Sequence, residues 1–229
     1  MEPEEKEAAR EEERNEILSF GKIVTENEET IQTLVIAGQI EGHTVLPPTV
    51  KATRYEHVLP QLVLAEESPE IRGVLFLINT VGGDVEAGLC MAELVSGMTK
   101  PTASLVLGGG HSIGIPLAAA ATRAFIAPSA TMTVHPARVN GLILGVPQSF
   151  EYLRKMQERI TDFIVSHSQV SREDMEKLLN GRHDMATDIG TILDGAEAQR
   201  VGLVDEVGSL SDALRWLKKE IRRRKSIEK

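Results

Sequence analysis

The feature that most constrains the fold is a unit that occurs twice in succession: an apolar strand, a glycine-rich turn and a helix. Residues 73–84 hold an apolar run and its turn, and a helical pattern continues over 85–98. Residues 102–114 repeat the strand and the turn, before a small-residue helix over 115–121. Apolar strands that alternate with helices are typical of a parallel sheet covered on both faces. The sequence therefore predicts an α/β domain with parallel crossovers.

The segments around these two units predict further strands and helices. Strands are expected at residues 31–37, 123–126 and 132–135. Helical patterns extend over residues 58–65, 145–167, 171–179, 194–201 and 210–221. The longest helix is amphipathic, which suits packing on the core or at an oligomer seam, with these residues on one side: Phe150, Leu153, Met156, Ile160, Phe163 and Ile164.

The composition excludes several classes of protein. Hydrophobic residues make up 41% of the 229 positions, which is too many for a disordered body. The longest apolar run, residues 113–121, is too short for a membrane span, and the charged N-terminus predicts no signal peptide. Cys90 is the single cysteine, which excludes an internal disulfide and a cysteine-rich zinc site. We therefore expect a soluble, cytoplasmic protein.

The charge is distributed unevenly along the chain. The formal net charge is −9, with eight Glu and three basic residues in 1–16, and eight basic and three acidic residues in 210–229. The two ends cancel, so the body is acidic, which argues against a nucleic-acid partner. The basic C-terminal segment is either a solvated helix face, which we prefer, or a contact for an acidic partner or anionic lipid, so membrane contact is not expected.

The second glycine-rich turn, residues 108–114, contains a candidate nucleophile. Its glycines let the backbone bend tightly and leave space beside Ser112. The N–H of Ile113 comes just before a helix, where backbone donors are free to hold an oxyanion. The same pattern also suits a phosphate-binding or CoA-binding turn, or a turn that only packs.

Two further segments contain groups that such a serine requires. Gly82 and Gly83 follow a buried strand, so their N–H groups are a candidate oxyanion donor or a partner for an extended peptide. A plain strand-to-helix turn is the alternative. His135 lies at the end of a strand, where it is a candidate general base or a structural histidine.

Four motifs in this order resemble the Clp protease proteolytic subunit (ClpP) family of the ClpP/crotonase superfamily. The family motifs are I-N-S-P-G-G, G-x-A-A-S-M-G, P-N-S-x-x-M-x-H-Q-P and L-S-A-x-E-A-x-x-x-G-L-I/V-D. In this chain, residues 78–83 are I-N-T-V-G-G and residues 108–114 are G-G-G-H-S-I-G. Residues 128–136 are P-S-A-T-M-T-V-H-P, and residues 193–205 are L-D-G-A-E-A-Q-R-V-G-L-V-D.

The resemblance implies an α/β fold of the ClpP/crotonase type, a repeated β-β-α superhelix with a protruding long helix. It implies Ser112 as nucleophile, His135 as base, and the Gly83 and Ile113 N–H groups as oxyanion hole, with Gly82 and Gly83 binding the peptide. No metal or organic cofactor is implied.

The chain departs from the family motifs at several positions. Val81 replaces the proline, His111 replaces an alanine before the serine, and the glutamine after His135 is missing. Where the family spacing places the triad aspartate, this chain has no carboxylate. Asp188 is therefore the preferred third member of the triad, and Asp184 is the alternative. These departures and the long polar leader are most similar to the divergent ClpP-like translocation-enhancing group.

The resemblance also implies domains and partners. We expect a polar leader over 1–29 that is partly disordered or helical, a ClpP-like peptidase domain over 30–209, and a basic C-terminal helix over 210–229. ClpP-like subunits form stacked rings that enclose the active sites, and a separate unfoldase ATPase delivers unfolded protein. No G-x-x-x-x-G-K-[ST] motif is present, so any ATPase would be a partner.

Two other functions remain open from the sequence. The displaced aspartate suits a ClpP-like scaffold that is catalytically weak or inactive. A crotonase-type acyl-CoA enzyme would use similar glycine turns as its oxyanion hole, and CoA binding would distinguish it. The expected function is a ClpP-like serine peptidase that hydrolyses peptide bonds in an oligomeric chamber, with a link to protein translocation or secretion.

Overall fold

A computed structural model describes residues 23–25, 30–139, 145–181 and 190–227 of the chain. The strands are β1 (Ile23–Thr25), β2 (Thr30–Glu41), β3 (Ala52–Arg54), β4 (Ile71–Gly83), β5 (Thr102–Gly110), β6 (Arg123–Ile126), β7 (Thr131–Val134), β8 (Thr191–Asp194) and β9 (Glu206–Val207). The helices are α1 (Tyr55–Glu67), α2 (Val85–Ser96), α3 (Gly114–Ala119), α4 (Val146–His167), α5 (Arg172–Leu179), α6 (Gly195–Arg200) and α7 (Leu210–Ile227).

The strands form a sheet in the order β1-β2-β4-β5-β6-β9. From β2 to β9 each neighbouring pair is parallel, whereas β1 pairs antiparallel with β2. Helices α2 and α3 follow β4 and β5 as the crossovers of the two repeated units. The parallel α/β architecture predicted from those units is therefore confirmed.

The sheet is covered on both faces because successive side chains of a strand point in opposite directions. Phe76 packs in one buried cluster with residues of α1, α2 and α3. Its neighbour Leu75 packs in a second cluster with Phe125, Leu217 and Ile221. Helix α7 covers this second face and continues to Ile227, beyond the Ile221 end that the apolar spacing indicates.

A second, smaller strand pair extends beyond the main sheet. Strand β7 runs antiparallel to β8 over four residue pairs, from Thr131↔Asp194 to Val134↔Thr191. One residue pair, Gly109↔Thr131, joins β7 to β5 within the described structure. The sequence patterns predict β7 but not β8, β3 or β9, which are two to four residues long.

The long helix α4 contacts the core through its C-terminal half. Met156, Phe163 and Ile164 are buried, whereas Val146 is 71% exposed and Phe150 is 69% exposed. The amphipathic pattern is therefore divided between a packed half and an apolar, uncovered half. Across the described ranges, none of the helices combines the length and the apolar character that crossing a membrane requires.

Candidate active site

Ser112 lies between β5 and α3 with a left-handed backbone, at φ 55°. Of the residues that the structure describes, it is the one non-glycine position with a positive φ. Such a conformation costs a residue with a Cβ about 1–2 kcal/mol and is found preferentially at functional sites. Strand, strained serine and helix in succession are the local geometry of a nucleophile elbow.

The glycines around Ser112 are required because neighbouring groups leave no room for a Cβ atom. A Cβ on Gly114 would lie 2.5 Å from Thr80 Cγ2, and one on Gly110 would lie 2.9 Å from Val106 Cγ1. These two glycines and Ser112 form a G-x-S-x-G pattern over residues 110–114, typical of a nucleophile turn. This spacing, between a strand and a helix, is the sequence signal that favours Ser112 as a nucleophile over a turn that only packs.

The two glycine-rich turns meet at the serine. A Cβ on Gly82 would lie 2.7 Å from Ser112 Cβ and 3.2 Å from its hydroxyl oxygen. The His111 N–H donates to the Thr80 carbonyl at 3.1 Å, which joins the second turn to β4. The carboxyl ends of adjacent parallel strands thus bring the residues predicted at 82–83 and at 112 to one place.

The two expected oxyanion donors differ in their surroundings. The Ile113 N–H has no hydrogen-bond partner among the described residues, and no side chain caps α3. Gly83 is exposed at the end of β4, and the next N–H, of Asp84, donates to the Ile40 carbonyl at 3.0 Å. A free backbone donor next to the serine is the arrangement that an oxyanion hole requires.

His135 comes near the serine through β7. The Ser112 N–H donates to the Thr133 carbonyl at 2.9 Å, and His135 follows Thr133 by two residues on the same face. The partly buried imidazole has its Nδ1 2.8 Å from the Pro136 carbonyl oxygen. Because a carbonyl only accepts, Nδ1 carries the hydrogen in the neutral ring, and Nε2 is left as the basic nitrogen.

No hydrogen bond joins Ser112 to His135 in the part of the chain that the structure describes. Asp188 and Asp184 both lie outside the described residues. Gly190, which follows Asp188 by two positions, does contact the histidine, because a Cβ on it would lie 2.9 Å from His135 Cβ. The triad acid therefore stays a prediction.

His111 is the site residue that the sequence interpretation undervalues. Its Nδ1 lies 2.9 Å from Thr133 Oγ1, directly beside the serine turn. Burial lowers the pKa of the His111 imidazole below 6.5, and the nearby His135 lowers it further. A histidine next to Ser112 in the sequence was the available signal, but it indicates no contact by itself.

Comparison with known proteins agrees with this geometry. The family model described as Clp protease matches residues 26–210. Translocation-enhancing protein TepA of Halalkalibacterium halodurans is 54% identical over 187 residues, which cover 82% of this chain and 73% of that protein. ATP-dependent Clp protease proteolytic subunit 1 of Chlamydia abortus is 30% identical over 140 residues, which cover 58% of this chain and 69% of that protein.

A solved structure shows the same fold. A ClpP1 mutant from Listeria monocytogenes aligns with a TM-score of 0.63 and 24% identity, covering 80% of this chain and 94% of that chain. This likeness confirms the ClpP-type α/β architecture. The extent of the family match and the identity to TepA confirm the resemblance drawn from the four motifs. The chain therefore belongs to the Clp protease family, and within that family it is similar to the translocation-enhancing protein TepA.

Proposed function

We propose that this chain is a serine peptidase in which Ser112 is the nucleophile and His135 the general base. The observation that carries the proposal is the strained backbone of Ser112 at φ 55° within the G-x-S-x-G turn. A packing turn gains nothing from a serine in this conformation, because glycine adopts it without strain. The family match favours this reaction over the acyl-CoA alternative.

The proposed reaction is acyl transfer to the serine followed by hydrolysis. Ser112 Oγ attacks the peptide carbonyl carbon while His135 Nε2 accepts its proton. The Gly83 and Ile113 N–H groups hold the negative oxygen, and the protonated His135 then donates to the leaving amine. Water, activated by the same imidazole, releases the acyl group and restores the serine.

The Pro136 carbonyl supports the role of His135 as a base. It holds Nδ1–H at 2.8 Å, which is the tautomer that leaves Nε2 able to accept a proton. In the proposal, Asp188, or less favourably Asp184, stabilises the imidazolium that forms when Nε2 accepts the proton. Replacing each with Asn separately identifies which one lowers the reaction rate.

The assembly is proposed to be a closed oligomer with internal active sites. The uncovered start of α4, with Val146 at 71% and Phe150 at 69% exposure, supports a contact between subunits there. Gly82 and Gly83 are proposed to pair with an extended peptide substrate. An unfoldase ATPase as partner and a link to protein translocation rest on the relatives' names. A cytoplasmic location rests on the composition of the chain, and all three belong to the same proposal.

A second candidate is a ClpP-like protein that is inactive until a partner aligns its site. The observation that favours it is the missing hydrogen bond between Ser112 Oγ and His135 in the described structure. Catalytic hydrogen bonds are often long before substrate binds, so this observation does not exclude the first proposal. The two candidates predict opposite results for the free protein.

Labelling with a fluorophosphonate probe tests the proposal. We expect the purified oligomer to be modified at Ser112, shown by intact mass and by the modified peptide. Ser112→Ala should abolish labelling, whereas Ser129→Ala, at an exposed serine in a neighbouring turn, should leave it unchanged. His135→Ala should slow labelling by at least about 10³-fold. A folded, oligomeric wild type that is not labelled contradicts the proposal and supports the second candidate.

A further inference from the structure

We propose that His111 is a positioning residue that holds the strand of His135 against the turn of Ser112 by binding Thr133. This inference rests on the proposed peptidase function and concerns the same site. His111 stands where the family motif has alanine, so the family pattern does not account for it. Three sets of contacts support the role.

The first set joins the turn to a single threonine at two points. The Ser112 N–H donates to the Thr133 carbonyl at 2.9 Å, and the His111 Nδ1 lies 2.9 Å from the Thr133 hydroxyl. Consecutive residues of the turn therefore hold both the backbone and the side chain of one residue in β7. The His111 N–H, which donates to the Thr80 carbonyl, attaches the same turn to β4.

The second set restricts the imidazole ring. A Cβ on Gly109 would lie 2.5 Å from His111 Nε2 and 2.7 Å from its Cδ2, so the ring occupies the space above that glycine. Contact with Gly109 on one side and Thr133 on another limits rotation of the His111 side chain. A ring held in this way fixes the position of Thr133 relative to the serine turn, which a freely rotating side chain cannot do.

The third observation is that little else aligns the two strands. Gly109↔Thr131 is the single residue pair between β5 and β7 among the described residues, whereas β7 pairs with β8 at four positions. Beyond Thr131, the contacts of Thr133 with the turn replace sheet pairing. His135 lies two residues further on, so a small rotation of β7 moves its imidazole relative to Ser112. A displacement of about 1 Å can lower a catalytic rate about 10²-fold.

The charge state of His111 is compatible with this role. Its partial burial and the nearby His135 both favour the neutral imidazole. A neutral ring can hold the Thr133 hydroxyl without placing a second cation beside the base. His135 is therefore left to accept the proton from Ser112.

A double-mutant cycle between His111 and Thr133 tests the inference. The rate of fluorophosphonate labelling at Ser112 and the kcat and KM for a fluorogenic peptide are measured for His111→Ala, Thr133→Val and the double variant. We expect each single variant to lower kcat and the labelling rate by about 10-fold to 100-fold with KM nearly unchanged. The double variant should be no slower than the slower single variant, because both remove one contact.

Conservative variants separate positioning from a general loss of folding. His111→Asn places an amide near the Nδ1 position, and Thr133→Ser keeps the hydroxyl, so both should recover rates to within about threefold of wild type. Thr131→Val is the matched control, since Thr131 lies on the same strand, its side chain forms no hydrogen bond with His111 among the described residues, and valine keeps its backbone pairing with Gly109. Thermal unfolding confirms that every variant is folded.

The outcomes distinguish this inference from the function on which it rests. Single variants that label at the wild-type rate, or effects that multiply in the double variant, overturn the role of His111 and leave the peptidase proposal intact. His111→Asn as slow as His111→Ala also overturns it. A wild type that is not labelled at Ser112 overturns the proposed function and this inference together.

Discussion

The glycine-rich turns at residues 80–84 and 108–114, which include the last residues of β4 and β5, lie side by side at one edge of the sheet, yet they differ in which residues adopt unusual backbone conformations. In the first turn, glycines occupy the unusual conformations, Gly82 at φ 91° and Gly83 at φ 152°. In the second, Gly108 also has a positive φ, of 78°, but Ser112 adopts a positive φ as well, although it carries a Cβ atom. The first helix is capped by the Asp84 carboxylate, which accepts from the Ala87 N–H at 2.8 Å, whereas no side chain caps the second.

Under the proposed function, the first turn serves mainly the structure and the second presents the reactive groups. In the first turn, glycines adopt the unusual backbone conformations without strain, and the helix that follows is capped. This turn provides space beside the serine and an exposed backbone. The second keeps strain and an unpaired N–H at Ile113, both of which an oxyanion hole and a nucleophile use. Five predictions test this contrast, in decreasing order of effect.

The largest effect is expected for Gly83→Ala. The new Cβ would lie 2.2 Å from the Ile40 carbonyl oxygen and 2.7 Å from the Ile40 backbone nitrogen. These backbone atoms belong to the sheet and cannot move aside. We expect labelling of Ser112 to fall at least about 10²-fold, with a lower Tm. Gly97→Ala is the control, because its Cβ would come no closer than 3.3 Å to any atom. Normal labelling of Gly83→Ala would show that the first turn is not needed.

The second effect is a steric clash that can be relieved. Gly114→Ala brings a Cβ to 2.5 Å from Thr80 Cγ2 and should lower the free energy of unfolding by about 1–3 kcal/mol in urea denaturation. Thr80→Ser removes that methyl group but keeps the hydroxyl that donates to the Gly38 carbonyl at 2.6 Å. The double variant should recover most of the loss. Simple addition of the two single effects would argue against the clash.

The strain at Ser112 can be measured directly. Ser112→Gly and Ser112→Ala both remove the nucleophile, but glycine adopts φ 55° freely and alanine does not. We expect the glycine variant to be more stable than the alanine variant by about 1 kcal/mol in urea denaturation. Equal stability, or a more stable alanine variant, would mean that this turn relaxes and that its contrast with the first turn is smaller than described.

The N-terminal cap of α2 should contribute a similar or smaller amount to the free energy of unfolding. Asp84→Ala removes the acceptor for the Ala87 N–H and is expected to lower the free energy of unfolding by about 1 kcal/mol. Asp84→Asn keeps an acceptor oxygen and serves as the control. Both variants should still be labelled at Ser112, since the cap stabilises the helix rather than the reaction. Loss of labelling in Asp84→Asn would give this turn a direct chemical role.

The smallest effect concerns pH. The folded-state pKa of His111 is lowered below 6.5, so the unfolded chain binds a proton that the folded chain resists. The stability contribution of neutral His111 is complete above pH 6.5 and is lost as the pH falls through the folded-state pKa. Wild type should therefore lose stability on acidification more steeply than His111→Asn, as Tm measured against pH will show. Parallel curves would contradict the assigned pKa direction.

Most of the fold and part of the site could be predicted from local patterns. The apolar runs at 73–79 and 102–107 predict the buried parallel strands, but the glycines predicted to form turns lie in the last residues of β4 and β5, which continue to Gly83 and Gly110. Motifs of this kind also predict Ser112 and His135 as site residues, and their catalytic roles stay predictions. The short strands β8 and β9 could not be predicted, because two to four residues hold too little pattern to stand out from a loop.

What the sequence by itself determined is the repeated strand-turn-helix unit and hence the parallel sheet. Hydrophobic burial and glycine conformation act on neighbouring residues, so their pattern is visible along the chain. The tertiary structure alone decided the φ of Ser112, the bond between His111 and Thr133, and the pairing of β7 with β8. Each depends on contacts between residues far apart in the chain, where packing overrides local preference.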